Sequence, residues 1–99
     1  MNDSRKDASH ALKVGARDEL RLRVLRALEA NPELSQRQLA AKLGVSLGGV
    51  NFAIKALIER GFVKAENFRK SGSKVAYLYL LTPKGFVEKT SLAAAFLGR

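Results

Sequence analysis

The sequence has no cysteine, no tryptophan, two prolines and a single histidine, His10. Those absences exclude disulfides, thiolate metal sites and any Cys/His nucleophilic pair, so no metal is expected. No apolar run approaches the roughly 18 residues of a membrane span, and the opening MNDSRKDASH lacks the apolar centre of a signal peptide. The expected compartment is the cytoplasm, with no membrane attachment. Carboxylates are scarce as well, nine in all. None falls in a plausible acid/base pair, and there is no Gly-rich phosphate loop or nucleophile motif, so neither an enzyme nor a cofactor is expected. His10 stands without a partner near the start of the chain and reads as solvated.

What the sequence holds in excess is positive charge. Over 99 residues, enough for one soluble domain at 46% hydrophobic content, eighteen Lys/Arg face nine Asp/Glu, a net charge of +9. The excess is uneven. Residues 1–34 carry seven basic against six acidic side chains, whereas residues 35–99 carry eleven against three. A basic half of this kind suits a polyanion, with nucleic acid ahead of an acidic membrane surface.

Residues 1–16 mix charges with Ala, Ser and Gly and show no apolar period, so they read as a flexible arm or frayed helix start before a domain over 17–99. A firm helix is expected from Asp18 to Ala30, with Leu20, Val24, Leu25 and Leu28 on one face, ended by Asn31-Pro32. Ser35 and Gln38 then form a capping box, and Leu34 and Leu39 a hydrophobic staple, at the start of a second helix that stops at Gly44. After the short turn LGVS, Ser46 caps a third helix, whose Val50, Ala53, Ile54, Leu57 and Ile58 make one buried stripe before Gly61. Two strand-like runs follow, FVKAENF from Phe62 and VAYLYLL from Val75, joined by the basic turn RKSGSK. Thr82 and Pro83 open a last helix over about 82–97, for packing or dimerisation, with Phe86, Thr90, Ala93 and Leu97 along one side.

The order helix, helix, helix, strand, strand, helix predicts a mainly α fold with a small antiparallel β-hairpin (α+β), a winged helix-turn-helix. In such a unit the helix after the short turn, here about 46–60, enters the major groove, whose base edges carry a distinguishable code. Asn51 and Lys55, four residues apart on its exposed side, are the expected base readers, with Phe52 beside them for a thymine methyl or for packing against the hairpin. Leu47 and the backbone at Gly48 and Gly49 are further candidate contacts. The two glycines cost helix propensity, which either close approach to DNA or crowding against a neighbour would explain. Arg69, Lys70 and Lys74 around the hairpin tip, about 69–74, suit phosphates or the minor groove, and Arg37 and Lys42 can add phosphate contacts. Tyr77 and Tyr79 alternate with Leu78 and Leu80, leaving both strand faces apolar, one for the core and one for an end helix or partner.

The segment SQRQLAAKLGVSLGGVNFAIKALIERGFVK, followed by YLYLLTPKG, resembles the DNA-binding region of MarR-type winged-helix regulators, over roughly Leu20 to Gly85. Within that family it is most similar to a short subgroup associated with exopolysaccharide gene clusters. The resemblance implies a bacterial-type transcription regulator, a homodimer on a near-palindromic site in double-stranded DNA, with the third helix in the major groove and the hairpin as wing. Typical members add long terminal helices that dimerise and flank a ligand pocket. Here the chain ends about fourteen residues after Gly85, which argues against a small-molecule effector. Two other functions fit the composition: a winged-helix protein-interaction module, and an RNA-binding or nucleoid-type protein without sequence preference.

Overall fold

The computed structural model describes residues 2–69 and 75–97, with side chains described over 15–67 and 76–96. The chain runs α1 (Asn2–Ala30), α2 (Gln36–Leu43), α3 (Leu47–Glu59), β1 (Val63–Arg69), β2 (Val75–Leu81) and α4 (Pro83–Leu97). Helix α1 begins well before Asp18, so the stretch expected as an arm or frayed start is helical from Asn2. Residues 2–14 contain neither Pro nor Gly, and their Ala, Leu, Lys and Arg favour helix without needing an apolar face, which is why periodicity alone gives no sign of it.

The second half of α1 is the centre of the core. Leu22, Val24, Leu25, Ala27 and Leu28 are all buried, a wider stripe than the expected face, because α2, α3, α4 and β2 all pack against the helix. Asn31 ends it, its side chain accepting from Glu33 N at 3.0 Å in the turn that carries Pro32. Both bonds of the capping box form at the start of α2: Gln38 N donates to Ser35 Oγ (3.1 Å) and Ser35 N to Gln38 Oε1 (2.8 Å). Gly44, at φ 69°, turns the chain so that Val45 N donates back to Ala40 O at 3.1 Å. The guanidinium of Arg23 on α1 donates to Leu43 O at 2.6 Å, covering a carbonyl left over at the end of α2.

Helix α3 leaves that turn at 114° to α2, within the roughly 90–120° of a helix-turn-helix. Val50, Ala53, Ile54 and Leu57 form its buried stripe, while Ile58, expected to share it, lies at the exposed end. It closes in a Schellman motif: Gly61 (φ 78°) donates to Ile58 O at 3.0 Å and Phe62 N to Leu57 O at 2.9 Å. β1 and β2 pair antiparallel from Val63↔Leu81 to Arg69↔Val75. Val63 and Tyr79 join the core, and Tyr79 N also donates to Pro32 O at 3.0 Å, tying the hairpin to the turn after α1.

Thr82 joins the hairpin to the last helix in two ways. Its hydroxyl accepts from Gly85 N (3.0 Å) as the N-cap and donates to Gly61 O (2.6 Å). Gly85 itself touches the hairpin base, since a Cβ there would lie 2.0 Å from Phe62 O. That close approach sets the rotation of α4. Leu92 is buried against the core, with Ala93 and Phe96 partly so, whereas Phe86 and Thr90 of the expected inner line are exposed. Arg21 pairs with Asp18 and, at 3.6 Å, with Glu88, and Lys89 pairs with Glu29, so α4 is folded back along α1.

Candidate nucleic-acid interface

The surface of interest is what α3 leaves outside. Ser46 caps the helix, accepting from Gly49 N at 3.0 Å, and the stripe Val50, Ile54 and Leu57 fixes its rotation against the core. With a period of 3.6, that orientation turns Leu47, Gly48, Asn51, Phe52 and Lys55 to the exterior, and all five are exposed. Asn51 and Lys55 therefore share the outer face, one turn apart. Arg37 in the first turn of α2 and Lys42 in its last turn are exposed too. Among the described residues none of Arg37, Lys42 and Lys55 forms an ion pair. Residues 36–60 hold four basic side chains and one acidic, so this surface is positive.

The two glycines separate. At Gly48 a Cβ would meet nothing within 4 Å among the described residues, so none of them requires the missing side chain. At Gly49 a Cβ would come within 3.1 Å of Ser46 Oγ, and crowding at the cap accounts for it. Phe52, at 72% exposure, lies on the α1 side of α3. It borders a cleft of about 300 Å³ with Arg17, Leu20, Arg21, Ala56 and Arg60, all on α1, α3 and the C-cap of α3. Lys70 and Lys74, with the rest of the tip, lie outside the described residues, as does the side chain of Arg69.

Three residues absent from the sequence-based set matter here. Asn51 Nδ2 donates to Gln36 Oε1 at 3.1 Å, and Gln36 Nε2 donates to Tyr79 Oη at 3.2 Å. The partners are 15 and 43 residues apart in the chain, which no local pattern connects. Tyr79 is buried at 7% exposure and Tyr77 exposed, so the pair does not form an open stacking platform. Gly85 is the third, and its place at the end of LTPKG was the available signal. No cluster of His, Asp and Glu suited to a metal occurs among the described residues, and no single described helix is long and apolar enough to cross a membrane.

Residues 17–64 match the family model for winged helix-turn-helix DNA-binding domains. Sequence search finds no significant match among curated proteins. Among solved structures, the PcaV transcriptional regulator from Streptomyces coelicolor, in complex with its natural ligand, superposes with a TM-score of 0.60 at 25% identity over 75% of this chain and 51% of that one. Staphylococcus aureus MarR, solved with salicylate and kanamycin, gives 0.61 at 18% identity over 79% and 51%. A transcriptional regulator homologue from Pyrococcus horikoshii gives 0.63 at 17% identity over 88% and 90%. The chain thus spans about half the length of the first two. Over the described residues, four helices, a 114° helix-turn-helix and a two-stranded antiparallel hairpin in this order make the chain a winged helix-turn-helix protein with the fold seen in MarR regulators.

Proposed function

We propose that this chain is a MarR-type transcription regulator, not an enzyme, that binds double-stranded DNA sequence-specifically in the cytoplasm. In this reading α3 lies in the major groove with Asn51 and Lys55 toward base edges, and Leu47 and the Gly48 and Gly49 backbone close to the duplex. Arg37 and the hairpin residues Arg69, Lys70 and Lys74 meet phosphates, the latter also within reach of the minor groove. Phe52 touches the groove edge from the α1 side. The observation that carries the proposal is the two-sidedness of α3: a completely buried stripe of Val50 and Leu57 holds the helix rigid while its opposite face offers Asn51 and Lys55 to solvent.

A homodimer on paired half-sites follows from the same reading, and α4 supplies a surface for it, with Phe86 and Val87 exposed side by side and Val87 at 69%. The likeness to the exopolysaccharide-associated subgroup belongs to this proposal and rests on the helix-turn-helix and LTPKG segments. No small-molecule effector is part of it.

Selection of bound fragments from a pool of random duplexes tests the proposal. A recurring motif with two related halves is the expected outcome. Binding without an enriched motif would mean a non-specific nucleic-acid binder, and no salt-sensitive binding at all would mean a protein-interaction module.

A further inference from the structure

An amide on an open helix face has several rotamers, and only one presents both of its hydrogen-bonding atoms to a base. Asn51 is not left to choose. Its Nδ2 donates to Gln36 Oε1 at 3.1 Å, and Gln36 Nε2 donates in turn to Tyr79 Oη at 3.2 Å. Each link is anchored on a rigid element. Gln36 is the first residue of α2, directly after the doubly bonded Ser35 cap. Tyr79 is buried, donates its backbone N–H to Pro32 O at 3.0 Å, and stacks on Tyr77 with ring centroids 6.1 Å apart and planes 19° from parallel. A chain of hydrogen bonds therefore runs from the second strand of the hairpin, through the start of α2, to the exposed face of α3.

We infer that Gln36 is a positioning residue for base readout: it locks the Asn51 amide in the orientation that reads adenine, and Tyr79 locks Gln36. The inference rests on the reading of α3 as the base-contacting helix. Counting donors and acceptors supports it. An asparagine amide has two N–H groups and one carbonyl oxygen. Gln36 takes one N–H, which leaves one N–H for adenine N7 and Oδ1 for the adenine amino group, the pair a two-bond contact requires. The Gln36 bond thus removes nothing that recognition uses, and it prevents the amide from rotating away. The Asn51–Gln36 bond is exposed and gains little for folding, because water competes for it. Loss of Gln36 is therefore expected to appear in specificity before stability.

The test compares base-preference profiles, taken from random duplexes bound by the full chain, together with melting curves. Asn51→Ala is expected to reduce an approximately tenfold preference at one or two positions of each half-site towards none. Gln36→Leu should flatten those same positions and no others, with unchanged affinity for random duplex at each salt concentration and an unchanged melting curve. It should add nothing in the Asn51→Ala background. Gln36→Glu can accept from both Asn51 Nδ2 and the Tyr79 hydroxyl, so it should keep the profile while lowering affinity for all sequences alike. Tyr79→Phe, which keeps the ring and removes the last link, should weaken the same positions about threefold. A Gln36→Leu profile equal to wild type, with Asn51→Ala flattened, overturns the inference alone. An Asn51→Ala profile equal to wild type overturns the reading of α3 and the inference with it.

Discussion

Gly48→Ala should make the protein more stable and its DNA binding worse. Gly48 is the second residue of α3, exposed, with no left-handed φ to accommodate and no atom within 4 Å of a Cβ placed there. A glycine in a helix costs about 0.8–1.0 kcal/mol relative to alanine, less near the end, so the substitution should stabilise by about 0.5–1 kcal/mol. For a domain of this size that raises Tm by about 2–8 °C. On DNA the sign reverses if the missing side chain makes room for the duplex. A methyl pressed into a close-packed contact costs about 1–3 kcal/mol, which weakens binding about 5- to 150-fold. Calorimetric melting and titration of a selected duplex by fluorescence anisotropy read the two quantities separately. A variant with raised Tm and wild-type affinity would show that Gly48 lies away from the DNA, and a lowered Tm would show that a methyl at this position does meet a neighbour.

Gly85→Ala is expected to destabilise by about 3 kcal/mol, measurable by chemical denaturation, because its Cβ would sit 2.0 Å from Phe62 O and α4 would have to leave the hairpin base. Replacing Arg69, Lys70 and Lys74 together by alanine should weaken binding to all duplexes and reduce the slope of log affinity against log salt by about one unit per residue, with the preference profile kept; an unchanged slope removes the hairpin from the interface. Phe86→Ser with Val87→Ser should shift sedimentation from dimer to monomer and leave the melting of the monomer at high dilution little changed, since both side chains are exposed on the single chain. A dimer that survives the pair would place the interface elsewhere.

The elements that could be read from the sequence are those with complete local chemistry. Ser35 with Gln38, Ser46, Gly44, Gly61 and Thr82-Pro83 mark helix boundaries because capping needs only residues a few positions apart, and the structure ends its helices at those points. The strands follow from the runs on either side of a turn-rich segment: β2 appears at Val75–Leu81 as expected, and β1 at Val63–Arg69, one residue later than the run from Phe62, because Phe62 N still closes the end of α3 on Leu57 O. The rotation of α4 was not legible. Its apolar residues allow more than one face, and the choice is made by Gly85 against the Phe62 carbonyl, a contact across the hairpin base. Likewise Asn51 is visible as an exposed polar residue between core positions, but its link to Gln36 and Tyr79 exists only once three elements converge. Leu22 gave no sign of being buried because a helix that meets α2, α3, α4 and β2 together has no simple stripe.

Sequence-specific recognition of duplex DNA can be read in one competition measurement. Binding of the full chain to a selected duplex and to a scrambled duplex of the same composition is measured side by side at physiological salt. The selected site, with half-sites about one helical turn apart, is expected to bind at least about a thousandfold more tightly. Equal affinity for the two duplexes, rising together as salt is lowered, would contradict the claim and leave a basic protein that recognises only the phosphate backbone.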